Sequence, residues 1–171
     1  KDLLKLVNIF YGPYDLVYEG IRFVGKGPEL KPKGANFYPL DLTKEEFEKY
    51  IAEHPEQKEE LESQYTIVVR EGNRLKGIPY HQAYPEVETI AQKLTEAANF
   101  CENETLKRYL LLRAKALRTD DYFESDMAWM DIRNSNIDIV IGPIENYEDA
   151  LYNYKTAYEA IVMVKDIAAT K

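Results

Sequence analysis

Between Asn136 and Asp166 two apolar runs flank a polar, tyrosine-rich link, and this arrangement restricts the fold more than any other feature of the chain. In the first run Ile137, Ile139 and Ile141 alternate with Asp138, Val140 and Gly142, the period-two pattern of a strand with one face more apolar than the other. Pro143 has no amide proton for a ladder, so the pattern places it at a strand edge or a bulge. In the second run Ala157, Ile161 and Met163 alternate with Tyr158, Ala160, Val162 and Val164. That run reads as a buried strand, but Tyr154, Tyr158, Ile161, Val162 and Lys165 also fit a helical spacing. Periodicity leaves both readings open.

The 171 residues suit one domain or one lobe of something larger. A start at Lys1 rather than Met, and an ending of Ile-Ala-Ala-Thr-Lys, lead to the expectation that this is a piece of a longer protein. No apolar run is long enough to span a bilayer. A net charge of -8 argues against nucleic acid and anionic membrane as partners, because both select clustered Lys and Arg. Acidity of this kind is compatible with a cleft for a positively charged peptide amino terminus, but by charge alone plain solubility is the better reading. The lone Cys101 cannot form an internal disulfide, which suits a reducing compartment, and a cytoplasmic location is expected.

Asp2 to Phe10 has a helical rhythm that Gly12-Pro13 ends. From Gly20 to Pro39 the density of Gly and Pro excludes long regular elements and predicts an extended, wrapped loop. Its Gly25-Lys26-Gly27-Pro28 lacks the spacing of a phosphate-binding loop and has proline where a helix should open, so it reads as a turn. Thr43 and Glu46 form a capping box, with Leu42 and Phe47 as a hydrophobic staple, so a helix should begin at Lys44 and run to His54-Pro55. Glu56 to Ser63 reads as a short acidic turn or helix. Tyr65–Arg70 and Leu75–Tyr80, joined through Gly72-Asn73, predict a β-hairpin.

Val87, Ile90, Ala91, Leu94, Ala97, Ala98 and Cys101 form one helical stripe after Pro85. Leu106, Tyr109, Leu110, Ala114 and Leu117 form another after the capping residue Asn103. A third helix, capped by Asp120, carries Phe123, Met127 and Met130 as a core face, with Trp129 and Ile132 beside it. Its acids Asp121, Glu124, Asp126 and Asp131 are explained in part by the helix dipole; a paired-carboxylate glycosidase would need them across a cleft. His54 reads as solvent-facing. His81 has no second histidine at metal-ligand spacing and no activated serine, so a structural role is expected.

Three segments resemble the dipeptidyl-peptidase III family of zinc peptidases. They are Ile141–Asp149 with Ala157–Asp166, Gly34–Pro39 with Asp41–Phe47, and Tyr122–Asp131. The likeness covers most of the chain from Gly34 onward and is greatest to the bacterial branch, whose relatives can be fused to Nudix domains. It implies that the two apolar runs are antiparallel strands of a small β-barrel flooring the substrate cleft. The expected fold class is therefore α+β: a mainly helical lobe, about 43–134, with a β-hairpin and a closing strand pair, about 136–166. Residues 1–171 would be a single lobe of a larger two-lobed protein.

The same resemblance implies an enzyme that removes dipeptides from short peptide substrates. Its zinc is held by a helical His-Glu-x-x-x-His motif and a downstream Glu, which this sequence does not contain. Zinc is therefore expected in the full-length parent, none bound by this chain, and the chain alone should not be catalytic. In the family, a Glu accepts the substrate's amino group and a Tyr two positions later touches the peptide. Asp138 falls at the first position, shorter but still anionic. Val140 falls at the second and cannot hydrogen-bond, a departure that fits a divergent hydrolase. Glu145 and Tyr147 are expected beside the substrate or as barrel-stabilising residues, and Asp149 as a turn acid. Two other functions remain: a catalytically silent binding or scaffolding module, and an accessory domain of a Nudix-type protein. The chain has no Nudix motif of its own. The expected partners are the peptide substrate and the remainder of the parent chain.

Overall fold

The computed structural model describes residues 2–169, and its core begins where the apolar stripes of the middle third meet. α5 (Glu86–Asn99) and α6 (Glu104–Thr119) form a helical hairpin. Val87, Ala91, Leu94 and Ala98 of α5 are buried against Leu106, Tyr109, Leu110, Ala114 and Leu117 of α6, as their spacing predicts. Each large side chain so buried contributes about 1.5–3 kcal/mol. Ala97, expected in the stripe, is exposed. Asn103 Oδ1 accepts the Leu106 amide at 2.9 Å and starts α6 as expected.

The third helix, α7 (Phe123–Met130), departs from expectation twice. Asp120 does not cap it. With φ at 58°, Asp120 instead closes α6 in the left-handed conformation, its amide donating to the Ala116 carbonyl at 2.8 Å. Asp tolerates that conformation better than most residues because its short polar side chain finds local partners. Nor is Phe123, Met127 and Met130 a core face: these residues are exposed, while Ser125 and Ala128 are buried against α6. Small residues permit a close approach to α6, so the bulky stripe is turned outward.

A second core lies under the hairpin. α2 (Lys44–Glu53) starts at Thr43, whose Oγ1 accepts the Glu46 amide at 3.1 Å. Leu42 and Phe47 are both buried in this core. A 3₁₀ turn (Pro55–Gln57) and α3 (Lys58–Glu62) follow. β1 (Thr66–Glu71) and β2 (Arg74–Pro79) pair antiparallel around Gly72 at φ 62°, which glycine supplies without steric cost. Val68, Leu75, Leu61 and Tyr80 join Phe47 beneath them, and α4 (Tyr80–Ala83) leads back to α5.

α1 (Asp2–Phe10) has no buried residue. Between it and α2 the chain is loop, with isolated bridges from Tyr14 to Arg22 and from Ile21 to Leu30. β3 (Ile137–Glu145) and β4 (Ala157–Val164) form an antiparallel pair, which resolves the second apolar run as a strand. The register shifts between Pro143 and Glu145, so the proline does sit at a bulge. The architecture is α+β, but the strands make two separate two-stranded sheets with no closed barrel among the described residues. Two short pairs leave open edges, and closure requires every edge to find a neighbour. No described helix is long and apolar enough to cross a membrane.

Candidate functional site

Beyond the bulge at Pro143, Glu145 at the end of β3 lines a cleft of about 1360 Å³, large beside ordinary ligand pockets of about 300–1000 Å³. One wall is the loop from Tyr11 to Leu40. The floor is Ile67–Arg70 of β1, and the opposite wall is Glu145, Tyr147 and Glu148 with Ala157–Ile161 of β4. Glu148 is paired with Lys31, which ties the loop wall to the β3–β4 connection. Arg70 on the floor is held by Asp41 at 3.1 Å and Glu46 at 2.7 Å.

Glu145 and Glu159 lie on the same wall with no ion-pair partner among the described residues. One carboxylate oxygen of Glu159 is buried without a hydrogen bond. The Tyr147 phenol titrates above its ordinary value, from partial burial and then from the negative charges of Glu145, Glu159 and Glu148. Glu145, Tyr147, Glu148 and Glu159 all line this cleft. Such a wall attracts a cationic group and repels an anionic one.

Of the four residues singled out in the sequence, Glu145 and Tyr147 line this cleft and Asp138 and Val140 do not. The register still relates them. Gly142 lies opposite Glu159, Val140 opposite Ile161 and Asp138 opposite Met163, so all share one face of the sheet. That face runs from the cleft at Glu159 to Asp138, a spread of four β4 residues or about 13 Å along the strand. Asp138 and Val140 are half-buried. Gly142 is itself required: its φ is 133°, and a Cβ there would lie 3.2 Å from Arg113 Nη1. Arg113 is buried between the rings of Tyr109 and Tyr122 and donates to Asp126 at 2.5 Å.

The link between the strands is fixed by two buried charges that sequence reasoning did not find. Asp149, read as a turn acid, is fully buried and accepts five hydrogen bonds. Its Oδ1 takes the amides of Leu151 and Tyr152 at 3.1 and 3.2 Å. Its Oδ2 takes the Tyr38 hydroxyl at 2.9 Å and the amides of Tyr154 and Lys155 at 3.0 and 3.1 Å. Burial and then the Asp149 charge raise the Tyr38 phenol well above its usual value. Lys155 is also fully buried; its ammonium donates to Leu61 O at 2.6 Å, Ser63 O at 2.8 Å and Thr66 Oγ1 at 2.8 Å. Burial pulls it down to about 7, against the opposing pull of Asp149 and Glu62. A polar link of tyrosines and asparagine gives no hydrophobic signal of either burial.

Neither histidine is placed for metal chemistry. His54 has Glu56 at 3.5 Å, and His81 Nδ1 lies 2.7 Å from Asp120 Oδ2. Among the described residues no group of three His, Cys, Asp or Glu could hold a metal ion. The residues present do not fit a zinc site, and no chemical step is routed through zinc on this chain.

Comparison with known proteins places the lobe. Residues 31–171 match the model of peptidase family M49. A dipeptidyl-peptidase III from Caldithrix abyssi superposes with a TM-score of 0.90 at 44% identity, covering 98% of this chain and 32% of that one. Another from Corallococcus sp. strain EGB gives a TM-score of 0.87 at 36% identity, with 99% and 32% covered. Nudix hydrolase 3 of Arabidopsis thaliana is 30% identical over 176 residues, 90% of this chain and 23% of the plant protein. The fold and its relatives define a peptidase-related lobe. The chain belongs to peptidase family M49, the dipeptidyl-peptidase III family. It spans about a third of the solved relatives' length and about a quarter of the plant relative's.

Proposed function

We propose that residues 1–171 form the substrate-cleft lobe of a zinc-dependent peptidase that acts on short peptides, with the zinc-bearing helix supplied elsewhere in the parent chain. The observation that carries this reading is the acidic wall: Glu145 and Glu159, without ion-pair partners, stand beside Tyr147 in an otherwise largely apolar cleft. A peptide's amino terminus brings the ammonium that such a wall lacks, and charge-assisted hydrogen bonds of this kind are about twice as strong as neutral ones. Asp138, Val140 and Ile161 extend the same sheet face, so an extended peptide would run along it from Glu159. The open edges of β3 and β4 would take further strands from the parent, completing a small barrel that two strands alone do not make.

The likeness to a plant Nudix hydrolase favours a second reading, in which the lobe is an accessory domain of a Nudix-type protein. Measuring zinc content and dipeptidyl-naphthylamide hydrolysis on the full-length parent separates the two. The peptidase reading expects about one zinc per chain and cleavage, with Glu145→Gln raising KM about tenfold while zinc content stays unchanged. A parent that binds no zinc and cleaves no peptide sinks that reading.

A further inference from the structure

The Gly25-Lys26-Gly27-Pro28 turn lacks the spacing of a phosphate-binding loop, yet it is a built part of the cleft's loop wall. Arg22 clamps both of its ends: Nη1 donates to the Gly25 carbonyl at 2.5 Å and Nε to the Pro28 carbonyl at 3.0 Å. The Arg22 amide adds a bond to Glu29 O at 2.8 Å. Gly25 at φ 77° and Gly27 at φ 138° bracket Lys26 in conformations that a side chain would strain. The backbone of Lys26 is thereby fixed, and Lys26, Gly27 and Pro28 all line the cleft.

The charges of the lining divide into those answered within the chain and those left over. Lys31 is paired with Glu148, and Arg70 with Asp41 and Glu46. Lys26 has no ion-pair partner among the described residues, and on the opposite wall neither do Glu145 and Glu159. What remains is a positive charge on the loop wall and two negative charges on the β3–β4 wall. The rest of the lining is largely apolar, Leu16, Leu40, Ile67 and Ile161 included, which strengthens the pull of each charge on a bound group. A ligand carrying only an ammonium leaves Lys26 unanswered, and one carrying only a carboxylate faces the acidic wall. A dipolar ligand answers both walls at once.

We propose that Lys26 is a specificity-determining residue that pairs with a carboxylate of the bound peptide, so that the cleft selects short zwitterionic peptides. This rests on the reading of the cleft as a peptide site. The ammonium lies toward Glu145 and Glu159 and the carboxylate toward Lys26, supplied by the chain end or by an Asp or Glu side chain. An extended peptide advances about 3.3–3.6 Å per residue, so with its amino end fixed only one or two lengths bring a terminal carboxylate to Lys26.

Hydrolysis by the full-length parent tests this with peptides of about three to seven residues, at low ionic strength where charge contacts are least screened. Each peptide is offered as free acid and as carboxamide, and with Glu or Gln at one interior position. For at least one length, neutralising the carboxylate should raise KM about fivefold with little change in kcat. Lys26→Gln should abolish that difference, and Lys33→Gln, at an exposed lysine outside the cleft lining, should keep it. Dependence on the terminal amide assigns the chain end; dependence on Glu against Gln assigns the side chain. A carboxylate effect below about 1.5-fold at every length, or one that survives Lys26→Gln, overturns the proposal. In a parent that cleaves the peptides, that result leaves the peptidase reading standing. Where the parent cleaves none of them, calorimetric titration reads the same comparison as affinity. Tighter binding of the acid than of the amide, removed by Lys26→Gln, then refutes the peptidase reading alone, and equal or absent binding overturns both.

Discussion

Replacing Asp149 by Asn changes one oxygen to an amide nitrogen and leaves the volume almost unaltered, so it isolates the charge and acceptor role of that carboxylate. Five donors converge on it: the Tyr38 hydroxyl and the backbone amides of Leu151, Tyr152, Tyr154 and Lys155. Whichever way the Asn side chain is turned, its NH₂ meets N–H donors it cannot accept from. Placed at Oδ1 it faces the Leu151 and Tyr152 amides; placed at Oδ2 it faces the Tyr154 and Lys155 amides. Hydrogen bonds to a charged group contribute about 1.5–3 kcal/mol each, and losing at least two in a fully buried site predicts a destabilisation of about 3–5 kcal/mol. Urea unfolding followed by circular dichroism measures this, and an unchanged slope confirms that only stability moved. A loss below about 0.5 kcal/mol, the size of an ordinary surface change, would refute the view that Asp149 organises the β3–β4 link.

Gly142→Ala should cost about 2–3 kcal/mol, because alanine at φ 133° is strained and its Cβ would crowd Arg113; Gly72→Ala, with open space at φ 62°, should cost about 1 kcal/mol, and thermal melts rank the two. Phe47→Ala should cost about 3–5 kcal/mol, since the ring is 1% exposed and packs edge-on against Tyr38, as read from urea midpoints. Lys155 is held at about 7 in the folded protein, below its unfolded value, so above pH 7 the unfolded chain carries the extra proton. Stability should therefore rise between pH 7 and about 10, and Lys155→Met should remove that part of the slope in urea midpoints taken across the range.

The parts of the fold written in side-chain periodicity were legible in the sequence. The stripes of α5 and α6, the capping box at Thr43 and the alternation through Ile137, Ile139 and Ile141 each correspond to an observed element. The second apolar run was ambiguous because its apolar residues satisfy both periods, and only pairing with β3 makes it a strand. The α7 stripe misled for a related reason: periodicity shows that a face is apolar, not which neighbour covers it. At the site, Glu145 and Tyr147 followed from the family resemblance, whereas Glu159 was hidden inside the ambiguous run. Its role depends on the register that sets it opposite Gly142. Asp149 and Lys155 were missed because a turn acid and a buried anion share the same local sequence, and only distant partners such as Tyr38 and Leu61 distinguish them.

The central claim is that the acidic wall of this lobe recognises the free amino end of a peptide. Its most direct test is hydrolysis by the full-length parent of one short peptide offered with a free and with an acetylated amino terminus, before and after Glu145→Gln. Recognition by the wall predicts that acetylation lowers kcat/KM by about a hundredfold in the native enzyme but by much less in the variant, because the charge the amino group would meet has been removed. Equal cleavage of the two peptides by the native enzyme, or an acetylation effect that Glu145→Gln leaves unchanged, would contradict it.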